Sequence, residues 1–242
     1  MKRSLIKLLL PALVCATTSL ASAAPFVIFD TGVDASGNPL TPTAGYPAGQ
    51  VNDPHWTVTA SPLGAFTPVT IPAGFPIQDA GNPARPWVAN NLNPGGSRWI
   101  GPSNFTATAP PGNYTYETTF NLTNFLPGTA TINGSWAADN GAEMYLNGTL
   151  VNTLVLNTFS AFTAFTIPQG SNFIAGVNTL RIIVINTTAS NSPTGLHMTA
   201  LLGDAIQVPE LSPSRAAIPL AFMFFAVAFC LDRRRQQASV RT

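Results

Sequence analysis

Residues 114–122, Tyr-Thr-Tyr-Glu-Thr-Thr-Phe-Asn-Leu, alternate with a period of two. Tyr114, Tyr116, Thr118, Phe120 and Leu122 fall on one face, and Thr115, Glu117, Thr119 and Asn121 on the other. A β-strand with one buried side satisfies that pattern, whereas a helix scatters it around its circumference. Residues 179–186 form a β-branched run, Thr-Leu-Arg-Ile-Ile-Val-Ile-Asn, apolar enough for a central strand. In 196–203, Leu196, Met198, Ala200 and Leu202 alternate with His197, Thr199, Leu201 and Gly203, which puts His197 on the solvent face. Asn147-Gly148, between 143–146 and 149–154, predicts a two-residue hairpin turn, because both turn positions need positive φ. Further strands are expected at 26–30, 55–60, 129–137 and 162–167.

Composition agrees. The 242 residues include 19 Gly and 22 Pro, and only 9% are charged, against roughly 25% in ordinary soluble domains. Pro or Gly interrupts nearly every stretch that might sustain a 3.6-residue period, and no repeat of fixed length appears. Eight or more short strands separated by turns predict an all-β sandwich or jelly roll. From Ala24 to Glu210 the chain carries three Arg, no Lys and nine acidic residues, a net of −6. That sign repels phosphate backbones and argues against nucleic-acid binding.

The two ends read as addresses. Lys2, Arg3 and Lys7 lead into an apolar run at 8–14, and Ala21-Ser22-Ala23 supplies the small residues of a cleavage site. Residues 1–23 are thus expected to be a signal peptide, handled by signal peptidase and the secretion machinery. Residues 216–231 are uncharged and apolar and are followed by Asp232 and Arg233-Arg234-Arg235. They form a short transmembrane helix whose Arg cluster should stay cytoplasmic. The sandwich is expected between them, over 24–207. Both cysteines, Cys15 and Cys230, lie in the end segments, so the exported part must be held by burial without disulfides.

The order Val208-Pro209-Glu210, short spacer, apolar helix and Arg cluster over 208–242 resembles the PEP-CTERM sorting signal of Gram-negative bacteria. Leu211 stands where that motif has its second Pro. The resemblance implies an exosortase, a membrane-embedded protease, as partner. It implies a transient inner-membrane anchor and then release to the cell surface or extracellular matrix. A second resemblance covers roughly 114–204. Ser135-Trp136-Ala137-Ala138-Asp139-Asn140, Tyr145-Leu146-Asn147-Gly148 and Gly176-Val177-Asn178-Thr179-Leu180 follow the order found in galactose-binding-like jelly rolls, which implies that fold.

Candidate sites are few. Asp53-Pro54-His55 offers an acid and an imidazole, but no G-x-S-x-G elbow supplies a nucleophile. Asp139 and Glu143 are close in sequence without forming a defensible glycosidase pair, so no catalytic residue is expected. No His or Cys cluster suits zinc. Asp139, Asn140 and Glu143 are the oxygen donors on which a hard cation would rest, and the galactose-binding resemblance favours a structural calcium there. The alternative is a plain turn at Asp139-Asn140-Gly141 whose side chains cap their own backbone, and no cofactor is expected. Trp136 should be core. Trp56, Trp87 and Trp99, with Asn90, Asn91 and Asn93 beside them, lie in or near a Pro-, Asn- and Gly-rich region; they are the candidate ligand contacts, unless these rings close the hydrophobic edge of the sandwich. Aromatic rings pack on sugar C–H faces, and amides both donate to and accept from hydroxyls. The expectation is a non-enzymatic envelope or matrix protein that binds polysaccharide weakly. The alternatives are a carbohydrate-active enzyme and a structural matrix protein with no discrete ligand.

Overall fold

The computed structural model describes residues 22–40, 51–65, 67–70, 87–88, 96–102 and 108–208, which fall in the unit Ser22–Val208. The sorting-signal residues Pro209, Glu210, Arg233, Arg234 and Arg235, the helix at 216–231 and residues 1–21 of the signal peptide lie outside the described residues.

The described strands are β1 (Ala23–Phe26), β2 (Thr57–Ala60), β3 (Val69–Thr70), β4 (Ile100–Gly101), β5 (Thr108–Ala109), β6 (Gly112–Asn121) and β7 (Thr131–Asp139). They continue with β8 (Gly141–Leu146), β9 (Thr149–Leu154), β10 (Thr163–Ile167), β11 (Val177–Asn186), β12 (Ser192–Pro193) and β13 (Gly195–Ile206). Antiparallel pairing sorts most of them into two sheets. One is six-stranded, in the order β10-β7-β13-β4-β3 with β1 also on β13. The other is five-stranded, in the order β2-β6-β11-β8-β9, and β5 and β12 pair separately. The fold is thus a β-sandwich of two antiparallel sheets.

The strand over 114–122 forms as its pattern demands: Tyr114, Tyr116, Thr118, Phe120 and Leu122 are all buried. β11 is the middle strand of its sheet, with β6 on one side and β8 on the other. Leu180, Ile182 and Val184 enter the core, while Arg181, Ile183 and Ile185 face outward. Trp136, Ile132 and Ala138 of β7 and Leu196 and Met198 of β13 fill the same core from the opposite sheet. The hairpin turn is as expected, with φ of 48° at Asn147 and 83° at Gly148. Asn147 also donates to Asn178 Oδ1 at 2.8 Å. Buried Asn178 in turn bonds the main chain of Ile174 and Gly176, which ties the turn before β11 to the hairpin.

The regular alternation expected across 196–203 breaks. Ala200 has φ 54°, and the register with β7 shifts between Thr199 and Leu202. The side chains beyond it therefore change faces: Leu202 is exposed, whereas Leu201 packs on the core. Asp30 explains why the bulge holds. Its carboxylate accepts from Ala200 N at 2.9 Å and Leu201 N at 2.8 Å, the two amides that the extra residue takes out of the ladder. Regular pairing of the first strand accordingly stops at Phe26 rather than continuing to Asp30. Similarly, β2 begins at Thr57 rather than at His55, because Asp53 Oδ1 accepts from His55 N and Trp56 N in a side-chain turn. Thr129, expected to open a strand, instead ends the 3-10 turn Pro127–Thr129, and β7 begins at Thr131.

Candidate functional site

The two sheets differ on their outer faces. Outward side chains of the five-stranded sheet include two polar pairs, Arg181 with Glu117 at 2.6 Å and Tyr145 OH donating to Glu143 at 2.6 Å, beside half-buried Ile183 and Ile185. One end of the six-stranded sheet carries instead a second apolar cluster of Trp99, Ala137 and Phe159, with Trp87 and Val88 against it. The cause lies in β7 and β13, where Ala137 stands opposite His197. A small side chain at that position leaves room for rings to lie on the sheet.

Hydrogen bonds fix the covering segments. Trp99 Nε1 donates to Val88 O at 2.7 Å, and Val88 N donates to Phe159 O at 2.7 Å. Trp87 Nε1 donates to Asp139 Oδ2 at 2.9 Å. Four rings then run in sequence across the face. Phe162 meets His197 edge-on at 4.8 Å, His197 meets Trp99 at 5.4 Å, and Trp99 meets Trp87 at 4.2 Å between centroids. The inner two, His197 and Trp99, are buried. The outer two, Trp87 and Phe162, keep part of their surface.

His197 is therefore not on a solvent face, as strand alternation alone suggests; it is 0% exposed. Its Nε2 lies 2.8 Å from Ser97 Oγ, and its Nδ1 has no hydrogen-bond partner among the described residues. Burial drives its pKa down to about 3, against a smaller upward pull from Ser97. Such an imidazole is neutral at pH 7 and a poor proton acceptor, so the Ser97–His197 pair is not poised for base catalysis.

The structure separates the other candidates. Trp56 is buried in the main core, with Nε1 donating to Phe29 O at 3.2 Å, and Trp99 is 2% exposed. Neither presents a ring face to a ligand, because each closes a hydrophobic layer. Trp136 is core, as expected. Asn90, Asn91 and Asn93 lie outside the described residues. Asp53, buried, accepts from Gly32 N at 2.6 Å as well as from His55 N and Trp56 N. Desolvation raises its pKa despite those three bonds, and its work is structural.

Asp139, Asn140 and Glu143 do not converge. Asn140 is the single residue between β7 and β8, which belong to different sheets. Asp139 lies on the outer face of the six-stranded sheet beside Ala137. Glu143 lies on the outer face of the five-stranded one, between core residues Ala142 and Met144. Asn140 Oδ1 accepts from Thr187 N at 3.1 Å. The two carboxylates thus sit on opposite outsides of the sandwich. Among the described residues, no group of three or more His, Cys, Asp or Glu side chains is arranged to hold a metal. Sequence reasoning missed Phe162 and Ser97. Ser97 lies 100 residues from His197 in the chain, and Phe162 is likewise remote in sequence from Trp87 and Trp99, separations that only the fold removes. A separate open cleft of about 510 Å³ lies between the β8–β9 hairpin and the 168–173 loop. It is lined by Leu150, Asn172 and Phe173 among others, with no charged side chain.

No family model and no curated protein matches this chain. Solved structures similar to it include the CBM36-1 domain of a multidomain xylanase from the hindgut metagenome of Trinervitermes trinervoides. That domain is 17% identical with a TM-score of 0.28, over 51% of this chain and 88% of that one. A CBM35 from Paenibacillus barcinonensis is 26% identical with a TM-score of 0.25, over 47% and 88%. A cyclase from Fischerella sp. TAU is 12% identical with a TM-score of 0.44, over 78% and 100%. With scores this low, none of these likenesses assigns a ligand or an activity to the chain.

Proposed function

We propose that this chain is an exported, non-enzymatic protein of the cell envelope or extracellular matrix that binds neutral polysaccharide weakly. The contact is the outer face of the six-stranded sheet, with Trp87 and Phe162 as its rings. The observation that carries this is the state of Trp87. Of the four tryptophans, Trp56, Trp99 and Trp136 are buried, and Trp87 alone is partly exposed. Its indole is held against Trp99 and tied through Nε1 to Asp139. A ring fixed before binding loses little rotamer freedom when a sugar C–H face packs on it. The net charge of −6 over 24–210 favours neutral over strongly anionic glycans. Single-site affinity is expected at about 10 μM to 1 mM, with retention on a polymer coming from many copies. The export signal, the PEP-CTERM-like tail with its exosortase partner and the galactose-binding-like jelly-roll order complete the reading.

The test compares retention of the purified chain on immobilised neutral polysaccharides with that of Trp87→Ala and Phe162→Ala. Both variants alter partly exposed rings and should remain folded by circular dichroism. Expected is a loss of about tenfold or more for Trp87→Ala. Retention equal to wild type in both variants refutes the site, and release of reducing sugar by the wild type refutes the non-enzymatic reading.

A further inference from the structure

The two ends of the sandwich unit leave it side by side. Ala23 of β1 pairs with Ile206 of β13, and Gln207 N donates to Ser22 O at 3.4 Å. Neighbouring strands end here too, since Val177 of β11 stands against Asn121 of β6, and Asp204 of β13 against Thr131 of β7. The turns that close this end are bonded to one another. Leu126 N donates to Ile206 O at 2.8 Å, Val208 N to Asn124 O at 2.9 Å and Leu122 N to Gly176 O at 2.8 Å. Asn147 of the β8–β9 hairpin donates to Asn172 O at 2.7 Å. The ring row lies at the other end. Trp87 is tied there to Asp139, the last residue of β7, about 26 Å along that strand from Thr131 at roughly 3.3 Å per residue.

The end that both chain termini leave is apolar and uncharged. Leu126, Leu150, Ile174, Val177 and Val208 are each between 42% and 61% exposed. Segments 22–26, 121–130, 146–150, 168–178 and 205–208 contain no charged residue. The open cleft beside Leu150 and Phe173 adjoins Ile174 and is uncharged as well. Exposed aliphatic side chains grouped on bonded turns mark an interaction surface, and covering them here desolvates no charge.

We propose that this end is a lipid-docking surface, which meets the bilayer while the tail is still attached and holds the ring row away from it. The proposal builds on the anchor reading of residues 216–231. From Val208 to Ala216 the chain takes eight steps, at most about 30 Å when fully extended. A chain anchored through that run therefore keeps its uncharged end close to the membrane surface, at an effective concentration where weak contacts suffice. The interfacial zone of a bilayer accepts aliphatic side chains without the shape complementarity that a protein partner demands. The absence of Lys and Arg from these turns removes attraction to anionic headgroups, and the net −6 over 24–210 opposes them. The matching surface is zwitterionic.

The test uses the full chain in phosphatidylcholine vesicles, with and without bromine on the acyl chains, and one cysteine-linked fluorophore. With Cys15→Ser, a label on Cys230 reports the tail. Adding Cys230→Ser frees the label for Val177→Cys or for Ser190→Cys, an exposed position in the turn after β11 at the opposite end. Brominated lipid should quench Cys230 strongly, Val177→Cys by about twofold or more, and Ser190→Cys hardly at all. Leu126→Asp together with Ile174→Asp, both at exposed positions, should restore most of the Val177→Cys signal without changing circular dichroism. An unquenched Cys230 overturns the anchor and this proposal with it. A quenched Cys230 beside an unquenched Val177→Cys overturns the docking alone. Equal quenching at 177 and 190 overturns the choice of face. A Val177→Cys signal that changes without bromine, and more so as protein is added to fixed lipid, overturns the lipid in favour of a second copy of the chain.

Discussion

The hydroxyl of Ser97 lies 2.8 Å from Nε2 of His197, joining positions 100 residues apart beneath the outer rings of the six-stranded sheet. The contact lets a histidine sit wholly inside an aromatic layer, where desolvation keeps it neutral.

Stability against acid should show this burial. His197 has a folded pKa of about 3 and an ordinary value of 6.5, so the unfolded chain takes up a proton that the folded chain refuses. The associated stability is present above pH 6.5 and is lost as pH falls from 6.5 towards 3. The slope is about 1.4 kcal/mol per pH unit while only the unfolded form is protonated. Denaturant unfolding between pH 7 and 4 measures it. His197→Gln, which cannot titrate, should flatten that part of the curve, and an unchanged slope would remove His197 as its source.

Ile183 and Val184 separate the two sides of the central strand. Val184 is 0% exposed in the core, whereas Ile183 is half-buried on the outer face. Val184→Ala should cost about 1–3 kcal/mol in chemical unfolding, from lost methyl burial and the cavity left behind. Ile183→Ala should cost less, although it removes more atoms. The reverse order would place the wrong face inward.

The bulge in β13 makes two opposite predictions. Asp30→Ala leaves the amides of Ala200 and Leu201 without their acceptor and should destabilise by about 2 kcal/mol or more. Ala200→Gly relieves a left-handed backbone at φ 54° and should stabilise by up to about 1 kcal/mol. Thermal unfolding of both variants reads the two signs, and destabilisation by Ala200→Gly would contradict the strained geometry.

Processing is tested by mass. The Val208-Pro209-Glu210 motif, the apolar run at 216–231 and the Arg cluster predict a mature C-terminus near residue 210 in cells that carry an exosortase. Intact mass of the recovered protein decides it, and a chain ending at Thr242 would leave a plain membrane anchor.

Much of the fold was legible in the residues themselves. The alternation of 114–122 named its buried face because side chains on a strand repeat every two residues. The run 179–186 marked the central strand because it is apolar on both sides, and Asn147-Gly148 announced its turn through the φ values those residues tolerate. Each is a local property, written in neighbouring positions. The site was much less legible. Trp87, Trp99, Asp139 and His197 were all visible as notable residues, yet their sequence neighbourhoods made three of them loop or turn residues and put His197 in solvent.

Local pattern determined the β class, the hairpin, the central strand and the acidic, cysteine-free character of residues 24–210, because period, turn chemistry and charge need no knowledge of partners. Tertiary structure decided what covers what. The outer face at His197 is buried because segments 87–88 and 96–99 and the stretch around Phe159 fold over it, contacts set by chain path. The Ala200 bulge exists because Asp30, 170 residues away, supplies the acceptor for amides that strand pairing cannot satisfy. Asp139 and Glu143, four positions apart, end on opposite outer faces because Asn140 passes the chain from one sheet to the other. Burial and convergence depend on the whole molecule's packing, so no window of the sequence contains them.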